Sequence, residues 1–81
     1  MGMRIDKFLK VSRLIKRRTV AQEACDAGKV FVNGRVVKPS YVLKVGDVVE
    51  LKLGSPIRLT VKSLNDKANK EEASTLYELC K

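Results

Sequence analysis

Histidine and tryptophan are absent from this sequence, and cysteine occurs only twice, as Cys25 and Cys80. Without histidine the chain lacks the usual general base of neutral pH. The surroundings of Cys25 likewise hold nothing to activate a thiol as a nucleophile, so Cys25 is expected to pack on a helix face. The two cysteines form no C-x-x-C pair, which leaves both a zinc site and a thioredoxin-like motif unsupported. No cofactor, metal or catalytic residue is expected. At 81 residues the chain makes one domain, with no room for an elaborate catalytic cavity.

Long apolar runs are also missing, for none exceeds three residues. That excludes a membrane span or a signal-peptide core by pattern, and Asp6 breaks the myristoylation motif that Gly2 would need. The expectation is a cytoplasmic protein with reduced thiols. Aromatic side chains are scarce: Phe8, Phe31, Tyr41 and Tyr77. They form no ladder of the kind that stacks single-stranded bases.

Positive charge is abundant, with a formal net of +8 and a pI near 9.8. It is concentrated in MRIDKFLKVSRLIKRR, residues 3–18, where Arg4, Lys7, Lys10, Arg13, Lys16, Arg17 and Arg18 face a single acid, Asp6. A clustered basic segment points to a polyanion; the plain alternative is a solvated basic helix face. Apolar residues 5, 8 and 9, with Ser12, share one helical face, and Arg4, Lys7 and Lys10 lie opposite. Val11 and Leu14 would point into the basic face, so the spacing predicts a first helix of about two turns and then a turn through residues 12–18.

A second helix is expected from Thr19, whose spacing to Gln22 fits a T-x-x-Q capping box. Its apolar face would be Val20, Ala24 and Ala27, with Gly28 as the left-handed stop. Its N-terminus would follow Lys16-Arg17-Arg18, a place suited to phosphate. Asn33-Gly34 between two β-branched runs predicts a type I′ hairpin, with Val30 and Val32 on one face and Phe31 on the other. Gly46-Asp47 makes a turn, residues 48–53 a strand, and residues 57–62 a returning strand with Ile57, Leu59 and Val61 inward. Leu76, Tyr77 and Cys80 fall at helical spacing and predict a short C-terminal helix over 71–81. Lys29, Arg35 and Lys38 flank the hairpin and extend the basic patch, unless they are simply solvated.

The residues Arg4-Ile5-Asp6, Arg17-Arg18, Gly28-Lys29-Val30-Phe31-Val32-Asn33-Gly34 and Gly46-Asp47 together resemble the RNA-binding domain named after the fourth protein of the small ribosomal subunit. The resemblance covers about fifty residues, in order and with the right gaps. It implies an α+β fold: a single small domain, two short helices on a small bent antiparallel sheet. Residues 3–53 would form the RNA-binding domain, and residues 54–81 an extra strand and helix completing it.

Within that family the chain is similar to small ribosome-associated proteins: the heat-shock protein fifteen group and, more so, a quality-control group of Gram-positive bacteria. The resemblance implies a non-enzymatic factor on large ribosomal subunits obstructed by peptidyl-tRNA. Its partners would be ribosomal RNA, the peptidyl-tRNA and a larger alanine-tailing factor, with no membrane, and it would be a monomer. The alternative is a heat-shock-type rescue and recycling factor. The long basic C-terminal extension of the heat-shock group has no counterpart here, where the end is mildly acidic. Arg17 stands where the family has Ser or Thr, exchanging a cap for a cation. Arg4 and Arg18 match motif arginines and suit bidentate phosphate contact; Lys7, Lys10, Arg13, Lys16 and Arg17 would add less specific contacts. Asp6 is expected to orient these groups rather than touch RNA, and Asn33-Gly34 to serve turn geometry alone. A DNA binder and a membrane-surface protein are classes that charge alone leaves open; the resembling module is also often appended to RNA-modifying enzymes, but this chain shows no catalytic body, no histidine and no nucleophile–base pair.

Overall fold

The computed structural model describes residues 2–80. Ten elements run β1 (Met3–Arg4), α1 (Ile5–Val11), α2 (Arg18–Asp26), β2 (Val30–Val32), β3 (Arg35–Val36), β4 (Val42–Leu43), β5 (Val48–Leu51), β6 (Ile57–Val61), a 3₁₀ turn (Ala73–Thr75) and β7 (Tyr77–Leu79). The main sheet is antiparallel in the order β3-β2-β5-β6-β7, and β1 pairs with β4 in a separate two-stranded ladder.

α1 follows its predicted pattern. Ile5, Phe8 and Leu9 are fully buried, and Ser12 closes the same face. Val11 and Leu14 do not point into the basic face; both are half-buried against the core. The chain turns away from the helix axis at Arg13, whose φ of 63° is left-handed. α2 corrects two expectations. Its N-cap is Arg17 and no side chain caps it, so Thr19 lies inside the first turn and no capping box forms. Its inward face is Ala21, Ala24 and Cys25, while Val20 is exposed. The rotation brings Gln22 toward Asp6 of α1. Gly28 ends the helix as expected, with φ 73°. Its N–H donates to the Cys25 carbonyl, and Lys29 N–H to the Ala24 carbonyl, both at 3.0 Å, the paired bonds of a Schellman stop.

Both Asn33 (φ 52°) and Gly34 (φ 84°) are left-handed, as a type I′ hairpin requires. Asn33 does more than turn the chain. Its Oδ1 accepts the Val48 N–H at 3.0 Å and its Nδ2 donates to Asp47 Oδ1 at 3.3 Å, tying the hairpin to the Gly46-Asp47 turn. Val30, Val32, Val49, Leu51, Leu59 and Val61 form the sheet's buried face, which shares one core with Leu43 and both helices; α2 contacts β2, and α1 packs on α2, β1 and β4. The predicted C-terminal helix is absent. Residues 73–75 make one 3₁₀ turn, Leu76 is buried, and Tyr77–Leu79 adds a strand to the free edge of β6, with Val61 opposite Tyr77 and Leu59 opposite Leu79. Lys81 lies outside the described residues.

Candidate nucleic-acid interface

Asp6 organises the basic segment. It sits in the first turn of α1 with no exposed surface. A buried carboxylate must be paired and hydrogen-bonded, and this one is. Arg4 Nη2 donates to Oδ2 at 3.2 Å and Gln22 Nε2 to Oδ2 at 2.9 Å. The Lys7 N–H donates to Oδ1 at 2.8 Å, and Arg18 Nη2 to Oδ1 at 3.4 Å. Arg18 Nε also lies 3.2 Å from Oδ2 but is not aligned to donate. Burial pushes the Asp6 carboxyl up. The bonds from Gln22, Arg18 and the Lys7 amide, with the charge of Arg18, override that and leave it below its ordinary 3.8. The side chains of Arg4 and Arg18 remain 48% and 41% exposed. One hidden anion thus holds two outward-reaching guanidinium groups, one from each side of the helix pair.

The N-termini of the two helices differ. At α1 the amides of Ile5 and Asp6 are taken by the carbonyls of Tyr41 (2.8 Å) and Pro39 (3.3 Å). At α2 Ala21 is the first amide with a backbone acceptor, and the first turn has neither a side-chain cap nor an acid. An anion is favoured there, beside Arg17 and Arg18.

Six of the ten sequence-predicted cations lie on one face. Arg4, Lys7 and Arg18 line an open groove of about 450 Å³. Lys10, Arg13 and Lys16 line a second, of about 260 Å³. Asp66 borders both and pairs with Lys7 at 3.2 Å. Among the described residues Lys10, Arg13, Lys16 and Arg17 have no ion-pair partner. Arg17 is exposed at the α2 N-cap and lines neither groove. Lys29 is exposed beyond the α2 stop, and its carbonyl accepts the Lys52 N–H at 2.8 Å. Arg35 and Lys38 lie in a third groove, beside β3.

Sequence reasoning missed Gln22 as a partner of Asp6, although Arg18 and Gln22 sit four apart on one helix face. Asp66 was missed too, since a loop acid carries no local signal. No cluster of His, Cys, Asp or Glu among the described residues suits a metal ion. No helix there is long and apolar enough to cross a membrane.

A cationic two-helix face on a small antiparallel sheet defines a class of compact RNA-binding modules. Residues 3–49 match the model of the S4 domain, and the chain belongs to that family. It is 50% identical over 80 residues to the RQC P-site tRNA stabilizing factor of Halalkalibacterium halodurans, covering 98% of this chain and 91% of that protein. It is 46% identical over 80 residues to the same-named factor of Bacillus subtilis, covering 98% and 93%. Heat shock protein 15 of Escherichia coli is 35% identical over 78 residues, covering 94% of this chain and 59% of that one. Among solved structures, the trimeric structure of Vibrio cholerae heat shock protein 15 superposes with a TM-score of 0.90 at 28% identity, covering 99% and 83%.

Proposed function

We propose that this chain is a non-enzymatic RNA-binding factor of ribosome-associated quality control in the cytoplasm. It binds ribosomal RNA and tRNA on large subunits obstructed by peptidyl-tRNA, and supports C-terminal alanine tailing of the stalled chain by a larger tailing factor. The observation that carries the reading is the Arg4–Asp6–Arg18 cluster. It fixes two part-exposed arginines in one groove, which shares Asp66 with a second groove lined by unpaired cations. Such an array suits phosphates brought close together by folded RNA, with little demand on base sequence. The names of the bacilli relatives, tRNA stabilizing factors of this pathway, set the biological context. Arg17 and the open first turn of α2 add a phosphate contact at the edge of the face, and the factor works as a monomer.

The test is co-sedimentation with large subunits, empty and carrying peptidyl-tRNA, across a salt series. Preference for the occupied subunit, lost in Arg4→Ala and Arg18→Ala, is the expected result. Equal binding to both subunits, unchanged in the variants, refutes it. The likeness to heat shock protein 15 favours a second reading, rescue and recycling of subunits. Deletion of the gene separates the two: loss of alanine tails supports the first, and intact tails with accumulated obstructed subunits the second.

A further inference from the structure

The groove beside β3 encloses about 630 Å³, within the range of small-ligand sites. Asn33, Arg35, Val36, Lys38, Ser40 and Tyr41 line it. Val36 and Tyr41 are 56% and 39% exposed. Arg35 and Lys38 have no carboxylate partner among the described residues, and the hydroxyls of Ser40 and Tyr41 make no hydrogen bond there. One aromatic face, two free cations and two free hydroxyls therefore converge on one concavity.

Its position adds to its composition. Tyr41 gives its carbonyl to Ile5 N–H, and the next residue, Val42, pairs with Arg4. The segment that forms one wall of this groove is thus the segment that holds the start of α1.

We propose that this groove binds one unpaired nucleotide of the RNA partner. The base stacks on Tyr41 and Val36, Arg35 and Lys38 hold the flanking phosphates, and Ser40 meets a ribose hydroxyl. The groove extends the RNA-binding reading and rests on it. An unstacked base presents a π-face that a lone tyrosine can cover whatever its sequence, and the 2′-hydroxyl is the group that distinguishes RNA from DNA. The groove adds a contact specific to single-stranded RNA to a face otherwise built for folded RNA.

The experiment uses fluorescein-labelled hexa-adenylate RNA and an RNA duplex of equal phosphate count at matched salt. In a Tyr77→Phe background Tyr41 is the one intrinsic fluorophore, because the chain has two tyrosines and no tryptophan. Hexa-adenylate is expected to quench Tyr41 emission saturably, and the duplex is not. Tyr41→Ala should weaken hexamer binding roughly 5- to 150-fold, the range for loss of one base–aromatic stack. Tyr41→Phe should keep it, and Arg35→Ala with Lys38→Ala should weaken it and flatten its salt dependence. Tyr41 makes its structural bonds through its backbone, so an unchanged melting temperature shows that Tyr41→Ala is folded. Equal quenching by the duplex, no hexamer binding, or full binding by folded Tyr41→Ala overturns the groove. Subunit co-sedimentation that depends on Arg4 and Arg18 in the same preparations leaves the broader reading standing; loss of that dependence overturns both.

Discussion

Arg18, the first residue of α2, reaches across to Asp6 in the first turn of α1, bringing Nε to 3.2 Å from a carboxylate with no exposed surface. This contact joins the two helices through charge as well as through their apolar faces. Asp6→Asn removes the anion while keeping the volume. It leaves Arg4 and Arg18 without their common counter-ion. Urea unfolding is expected to show a loss of roughly 2–3 kcal/mol, below the ~3–5 for a wholly buried pair because both guanidinium groups are part-exposed. A change within about 0.5 kcal/mol, the range for surface substitutions, would contradict the role given to Asp6.

Acid should reverse the same contact. The folded Asp6 carboxyl titrates below its ordinary 3.8, so its contribution is complete above that value and falls as the pH drops toward the folded one. The gap in melting temperature between the wild type and Asp6→Asn is therefore expected to be constant near neutrality and to shrink below about pH 4. A gap that does not narrow at all as the pH falls below about 4 would mean that the carboxylate charge is not the stabilising element.

Arg13 occupies a backbone conformation that suits glycine, φ 63°, where α1 ends. An arginine there costs on the order of 1 kcal/mol, and strained positions of this kind gather at functional sites. Arg13→Gly is expected to raise stability by up to about 1 kcal/mol and to weaken binding to large subunits. Stability and binding that fall together would show that Arg13 acts mainly in the fold.

Asp66 is an exposed acid between the two cationic grooves, paired to an exposed part of Lys7. Asp66→Asn should leave stability within about 0.5 kcal/mol. It should also tighten RNA binding and steepen the slope of log affinity against log salt by up to roughly 0.7–0.9, one phosphate contact. An unchanged slope would place Asp66 outside the RNA path.

The two thiols should react very differently. Burial, then the charges of Asp6 and Asp26, push Cys25 up to about 11, while Cys80 is exposed. A thiol reagent at pH 8 is expected to modify Cys80 in the folded protein and both cysteines in urea. Rapid labelling of Cys25 without denaturant would show that α2 opens readily.

Much of this was legible in the residues. Ile5, Phe8 and Leu9 recur at helical spacing, and Asn33-Gly34 admits few backbone geometries, so α1 and the hairpin announce themselves locally. The start of α2 does not. Thr19 and Gln22 satisfy a local capping rule, yet Gln22 gains more from the buried Asp6, an acceptor supplied by another helix. The C-terminal segment departs from its local pattern for a related reason. Leu76, Tyr77 and Cys80 fit a helical period, but β6 offers an unpaired edge, and pairing with it outweighs the local preference. The face of six cations was legible as charge. Its division into two grooves around Asp66 depends on where residues 62–72 lie, which no periodicity records.

The pairing of Met3 and Arg4 with Leu43 and Val42 has a consequence for biosynthesis. The cationic segment leaves the ribosome before the strand that anchors it, which is made some forty residues later. Until residues 39–43 emerge, Ile5 and Asp6 lack their backbone acceptors, and the order of the contact is set by loop closure rather than by local helix formation. The growing chain thus carries its basic residues past the ribosome's own RNA before they have a fixed shape. Only when the segment around Tyr41 folds back does a loose run of charge become a surface with defined spacing.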